Sequence, residues 1–238
     1  MSPTNSTRHQ AIRVECSEAN RRLAGTGLVD LTFGNVSVFD AEVGVFAIKP
    51  SGVSYSDLTP ENMVLVDLAG EVVEGDLKPS SDTPTHRALF QAFGASGIRS
   101  VVHTHARAAV TFAQAARDIP CFGTTHADYF NGPVPVTRAM TRAEVEGEYE
   151  WETGQVIIER FTGLDPVQIP SVLVRNHGPF SWGSTADEAL DTAQALEAIA
   201  DMAQRTMSLD PGALELPSYL LARHFLRKHG KHSYYGQD

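Results

Sequence analysis

Apolar residues recur along this chain with two spacings, and each predicts a different element. Between positions 8 and 24, Ile12, Cys16, Ala19 and Leu23 fall at helical intervals and Gly25 and Gly27 close the segment, which predicts a surface helix. Short apolar runs at 28–31, 36–39, 45–48 and 63–66, parted by turn-forming residues, predict strands. A helix is expected to open at Asp82-Thr83-Pro84, where an acid able to cap precedes a proline in the first turn, and to run to about Phe93. Residues 98–105 read as a strand, 106–116 as a helix and 134–136 as a short strand or turn. The polar stretch 141–153 predicts a helix, with an apolar segment at 156–161 behind it. Runs at 172–177 and 180–182 predict a hairpin, Ser184 and Thr185 cap a long helix carrying Ala189, Ala193, Leu196, Ile199 and Met202, and a last helix spans about 217–229.

Strands cluster before and between helices with no regular alternation of the two. That order predicts an α/β fold with a mixed, mainly antiparallel central sheet covered by helices on both faces, rather than a doubly wound parallel sheet. With 238 residues, no linker-like stretch and no repeat, a single domain over 1–238 is expected, its first ten residues forming a polar extension. Hydrophobic residues at 42% and charged ones at 20% fit an ordinary soluble protein. No apolar run approaches the ~20 residues that cross a bilayer, and the polar start lacks the core of a secretory signal, so a cytoplasmic location with no membrane partner is expected. Cys16 and Cys121 allow one disulfide, but two buried thiols fit that location better. A net charge of −10 without a Lys/Arg cluster argues against nucleic acid as partner. It does not exclude a small anionic substrate, since charges more than ~8 Å away are largely screened.

The chemistry concentrates at strand ends. His103-Thr104-His105 closes an apolar run, and along a strand positions i and i+2 share a face, so two imidazoles emerge together. His177 ends another apolar run, and three histidines without a cysteine pair point to a catalytic zinc, with an open coordination position, more than to a closed structural site. Lys49-Pro50-Ser51-Gly52 follows a strand and Ser80-Ser81 precedes a helix start, whose free amides suit a phosphate. Gly34-Asn35 adds an amide donor, although any of these stretches alone reads equally as a turn. Asp82 is either the cap of the helix behind it or an oxygen ligand or acid/base group beside the metal. Asp128, in a loop dense with exchangeable protons, is a candidate acid/base, and His126 next to it reads as structural. Glu148, Glu150 and Glu152 read as a solvated face, and Tyr234-Tyr235 is unusual for a chain end, packing there or docking near an active site.

Taken in order, Gly34-Asn35-Val36-Ser37, Lys49-Pro50-Ser51-Gly52, the segment Lys78 to His86, His103-Thr104-His105, Gly123 to Phe130, Gly147 to Gly154 and Tyr234-Tyr235-Gly236-Gln237 resemble the L-ribulose-5-phosphate 4-epimerases of the class II aldolase superfamily. The likeness runs from about residue 11 to the end. It implies a three-layer αβα sandwich and a homotetramer with active sites at subunit interfaces. It also implies one zinc per subunit held by His103, His105 and His177 with Asp82 beside them, other divalent ions being acceptable to three imidazoles. Gly34, Asn35, Lys49, Ser51, Gly52, Ser80 and Ser81 would hold a sugar phosphate. Asp128 and Tyr235 would be the acid/base pair, Tyr235 reaching in from a neighbouring chain. Asn176 before His177 and the polar N-terminus depart from the pattern without touching an assigned role.

Two rivals follow from the same likeness. One is a sugar-phosphate aldolase of the L-fuculose 1-phosphate type, in which a glutamate stands where this chain has Asp82. The other is a non-catalytic adducin-like module, which needs no histidine trio.

Overall fold

The computed structural model describes residues 3–229, and there the segments predicted from apolar spacing converge on one seven-stranded sheet. Its strands are β1 (Asn35–Asp40), β2 (Val45–Ile48), β3 (Val64–Asp67), β4 (Val72–Glu74), β5 (Ser100–His103), β6 (Ser171–Leu173) and β7 (Pro179–Gly183), in the order β4-β3-β2-β1-β5-β7-β6. Every neighbouring pair is antiparallel, and the one parallel contact is an isolated bridge between Val136 and Leu173. The sheet is therefore antiparallel throughout its strands rather than mixed.

Successive side chains leave a strand on opposite faces, and both faces here are apolar. Val36, Val38, Ala47, Leu65 and Val102 meet helix α1 (Pro3–Ala24) and the start of α7 (Ala186–Leu209). Phe39, Phe46, Val66, Val101 and Trp182 meet α2 (Thr83–Phe93), α3 (Arg107–Ala115) and α6 (Tyr149–Arg160). Helices on either side of one sheet make a three-layer sandwich, the architecture expected. Three further helices complete the described residues: α4 (Thr124–Ala127), α5 (Arg142–Glu146) and α8 (Ser218–His229).

Local chemistry explains most boundaries. Thr185 Oγ1 accepts from Glu188 N at 3.1 Å and opens α7 as a cap should. Ile12, Cys16, Ala19 and Leu23 are all buried, as their spacing predicts, and Cys16 and Cys121 are free buried thiols.

Five segments differ from expectation. The 28–31 run is no strand: Leu28 is buried, but Leu31 turns out to solvent with a left-handed backbone (φ 55°). The strand expected over 98–105 stops at His103, and that expected over 172–177 stops at Leu173. Residues 3–10 continue α1 instead of forming an extension, because His9 is buried and its Nδ1 lies 2.7 Å from Glu74 Oε1 on β4, with Arg13 alongside. The segment beginning at Thr124 is helical, not a loop, and buried His126 bonds through Nε2 to Gly132 O, the structural role expected of it.

Candidate metal centre and anion cradle

Antiparallel pairing brings the start of β1 and β7 and the end of β2, β5 and β6 to one end of the sheet, where a cavity of about 440 Å³ opens. His103 is the last residue of β5, paired with Asn35 on one side and Phe180 on the other. Its Nδ1–H donates to Pro179 O at 2.9 Å, which fixes the tautomer and leaves Nε2 with a free lone pair. The ring stacks on Phe180 with centroids 4.2 Å apart.

His105 lies beyond the strand end and faces solvent, its ring stacked against Phe33. Its Nε2 stands 3.1 Å from His103 Nε2. The turn between β6 and β7 presents His177: Asn176 takes a left-handed backbone (φ 62°), which asparagine tolerates better than most residues, and His177 N bonds to Val174 O at 3.0 Å. Asn176 thus shapes the turn that carries a candidate ligand. That turn presses against the strand end so closely that a Cβ on Gly178 would sit 2.8 Å from Thr104 O.

One ring nitrogen from each of the three histidines lies within 4.8 Å of the others, and His177 Nδ1 is buried without a partner. Burial first, then the neighbouring imidazoles, push His177 down to about 4, so it is neutral at pH 7, as a ligand must be. The 3.1 Å between His103 and His105 nitrogens is close to the ~3.3 Å that separates two nitrogens on a tetrahedral zinc. The donor set fits a divalent cation.

Asp82 does not cap α2; its side chain makes no cap bond, and Asn35 Nδ2 donates to Asp82 Oδ2 at 2.6 Å and to Ser80 Oγ at 3.1 Å. Thr83 Oγ1 donates to Ser80 O at 2.6 Å instead, and Pro84 supplies the first turn. Burial opposes ionisation of Asp82, but the surrounding imidazoles and Asn35 outweigh it and hold the carboxyl below the usual range. One turn further, His86 is wholly buried with Nδ1 2.6 Å from Ser37 Oγ, and burial lowers it to about 3.

The rest of the cavity suits an anion. Ser51 N donates to Lys78 O and Ser80 N to Lys49 O, each at 2.9 Å, so the two loops carrying Ser51-Gly52 and Ser80-Ser81 are zipped together. Lys49 is buried, with Nζ over the Tyr55 ring at 5.1 Å, and no carboxylate pairs with it among the described residues. Burial alone lowers its affinity for a proton, the condition under which an ammonium gains most from an incoming anion. Tyr55 OH donates to Phe33 O and Gly34 O, and Gly34 (φ +81°) passes where a Cβ would meet His103 O at 2.7 Å.

His103, His105, His177, Asp82, Gly34, Asn35, Lys49, Ser51, Gly52, Ser80 and Ser81 therefore all line one cavity. Asp128 is not among its walls: its carboxylate accepts from Arg227 Nη2 (2.6 Å), Arg227 Nε (3.0 Å) and His224 Nδ1 (3.1 Å) on α8. Tyr235 lies outside the described residues. Tyr149 and Glu150, at the start of α6, line the cavity although the sequence reads there as a solvated acidic face. Two aromatics inside that polar run, Tyr149 and Trp151, signal otherwise. A larger open groove of about 770 Å³ along α1 holds none of these groups.

Residues 14–204 match the Class II Aldolase and Adducin N-terminal domain family. The chain belongs to this family. It is 47% identical over 228 residues to the L-ribulose-5-phosphate 4-epimerase UlaF of Salmonella paratyphi A, covering 96% of this chain and 99% of that one. Among solved structures, an L-fuculose 1-phosphate aldolase superposes with a TM-score of 0.75 at 24% identity, over 90% of this chain and 94% of the other, which shows a shared fold. The L-fuculose-1-phosphate aldolase of Thermus thermophilus gives a TM-score of 0.64 at 26% identity, over 86% and 99% of the two chains. The class II aldolase fold thus accounts for the sandwich.

Proposed function

We propose that the protein is a metal-dependent L-ribulose-5-phosphate 4-epimerase, interconverting that sugar with D-xylulose 5-phosphate in cytoplasmic pentose catabolism, such as that of arabinose. The observation that carries the reading is the meeting, in one cavity, of the histidine trio with the buried Lys49, which has no carboxylate partner among the described residues. A metal site beside an anion cradle suits a substrate with a phosphate at one end and oxygens to be polarised at the other. Two further points favour the epimerase over an aldolase: the relatives at 47% identity carry the epimerase name, and Asp82 stands where the aldolase pattern has glutamate.

Direct deprotonation at C4 is poor chemistry, since that hydrogen is not adjacent to the C2 ketone. The C4 hydroxyl is β to the ketone, so loss of its proton lets the C3–C4 bond break, leaving an enediolate and glycolaldehyde phosphate. A divalent ion held by His103, His105 and His177, zinc foremost, supplies the Lewis acidity that stabilises negative charge on the enediolate fragment. Lys49, Ser51 and Ser80, with the Gly34 and Gly52 amides, keep the phosphate in place while the aldehyde turns its other face. Asn35 holds Asp82 against the trio. Attack on the second face then closes the C3–C4 bond with inverted configuration at C4.

Inversion needs proton donors on two sides, a role assigned to Asp128 and Tyr235 of a neighbouring chain. Asp128 bonds through its carboxylate to Arg227 and His224 of α8 and does not line its own chain's cavity, which supports its serving the site of a partner chain. That arrangement supports a homotetramer with sites between subunits, each chain forming one domain.

The test is a coupled assay of the purified protein with L-ribulose 5-phosphate, with and without chelator. Chelator-sensitive formation of D-xylulose 5-phosphate is expected. No pentulose interconversion, with dihydroxyacetone phosphate released from a ketohexose 1-phosphate instead, would assign the protein to the aldolases.

A further inference from the structure

His105 is the least anchored of the three histidines. His103 sits in the β5 ladder and His177 in a hairpin turn, whereas His105 lies past the strand end, exposed, and among the described residues its ring makes no hydrogen bond to the framework. It is bounded on one side by His103 and on the other by Ala106 and the first turn of α3.

That first turn has no local cap. Ala106 occupies the capping position and offers no side-chain acceptor. The need is met from α7, 89 positions along the chain: Glu197 Oε1 accepts from Ala108 N at 2.8 Å and Oε2 from Ala109 N at 3.0 Å. A carboxylate spanning two first-turn amides also faces the positive end of the α3 dipole. Glu197 is half-buried, and both of its carboxylate oxygens are committed to these two amides.

We infer that Glu197 is a positioning residue for the metal centre: by fastening the start of α3 to α7 it fixes where the His105 imidazole stands relative to His103 and His177. The inference rests on the reading of the trio as a metal site. A ligand nitrogen must be held within about 0.2 Å for full affinity, and a frayed first turn of α3 loosens the hold on His105 from its C-terminal side, leaving the imidazole free to move by more than that. Glu197 does not line the cavity, and among the described residues it makes no hydrogen bond to a histidine, so its effect passes through the backbone.

The experiment measures Co²⁺ affinity, by competition with a chromophoric chelator, and the visible Co²⁺ spectrum, at a temperature where each variant is folded by circular dichroism. The variants are Glu197→Ala, Glu197→Gln and Thr185→Ala. The last removes the cap of α7 far from the histidines and controls for general loss of stability. Expected is at least tenfold weaker Co²⁺ binding and an altered spectrum in Glu197→Ala, a smaller loss in Glu197→Gln, which keeps one acceptor, and no change beyond twofold in Thr185→Ala. Wild-type affinity in Glu197→Ala overturns the inference alone, as does an equal loss in Thr185→Ala. A wild-type protein that binds no Co²⁺ overturns the metal reading and the inference together. Should Glu197→Ala not fold, Glu197→Gln decides by the same comparison.

Discussion

Gly178→Ala probes how tightly the His177 turn must sit against the His103–His105 segment. The new Cβ would lie 2.8 Å from Thr104 O, 3.5 Å from His105 Cδ2 and 3.6 Å from Val110 Cγ2. Thr104 O is backbone at the end of the ladder and cannot swing aside, so an ordinary 3.4 Å contact requires the turn to retreat by about 0.6 Å. That is roughly three times the ~0.2 Å tolerance of a metal–ligand distance, so divalent-metal affinity should fall about 10- to 100-fold. Overpacking of this kind costs roughly 1–3 kcal/mol, and for a chain of this length about 2–4 °C in Tm per kcal/mol. The assay is Co²⁺ competition below the melting transition, beside a thermal melt of the metal-free protein. Gly44→Ala is the control: Gly44 has φ +68° and nothing within 4 Å of the added Cβ, so it should lose about 1 kcal/mol from backbone strain and keep its metal affinity. Wild-type metal affinity in Gly178→Ala would refute the claim that this glycine sets the ligand geometry. So would an equal loss of affinity in Gly44→Ala.

Two further outcomes are expected. After verified subunit exchange, His103→Asn mixed with Asp128→Asn should recover up to about a quarter of wild-type activity, since Asp128 lies off its own chain's cavity and is proposed to serve a partner's site; no recovery would place Asp128 in its own chain's site. Partial burial opposes ionisation of Asp128, but Arg227 and His224 outweigh it and hold its folded-state pKa below the unfolded value of about 3.9, so its stabilisation is complete above that pH and fades as pH falls through the lower value. Asp128→Asn should therefore lower stability by about 1–2 kcal/mol at pH 7 and by much less once the pH has fallen through the lowered folded-state value, read from urea midpoints, and a difference that persists in acid would show that charge is not the cause.

The elements that the sequence announced are those whose stabilising partners are local. Asp82-Thr83-Pro84 started α2 where expected, Thr185 capped α7, and the β-branched runs at β1, β2 and β3 paired in register. The three histidines were legible because strand ends and a hairpin turn present them, and because their residue type carries the chemistry. What escaped depends on distant neighbours. The apolar 28–31 run turns instead of pairing, with Leu28 packed under α1 and β1. Residues 3–10 look like a polar tail until Glu74 arrives from β4 to meet His9 and Arg13. Asp82 was open to two readings, cap or cavity group, and Asn35, 47 positions earlier, decides between them by drawing its carboxylate into the cavity. Tyr149 and Glu150 stand in a run that is charged by composition, and only the packing of α6 on α2 turns them inward.

The placement of the site follows from strand direction. In an antiparallel sheet each strand end lies beside its neighbour's beginning, so Asn35, His103 and Phe180, far apart in sequence, share one row across three strands. That row joins two demands that no single element meets. Phe180 gives His103 an apolar floor and Pro179 O fixes its tautomer, while Asn35 ties the Asp82 carboxylate to the same end. One strand further, β2 ends at Ile48, so Lys49 emerges beside Asn35 rather than at the opposite end of the sheet. A parallel sheet would gather its strand ends too, but through crossover helices of a dozen or more residues, whereas here a hairpin turn of five residues between β6 and β7 is enough to bring His177 back against His105. The cation site and the anion cradle are adjacent because the strands that carry them are.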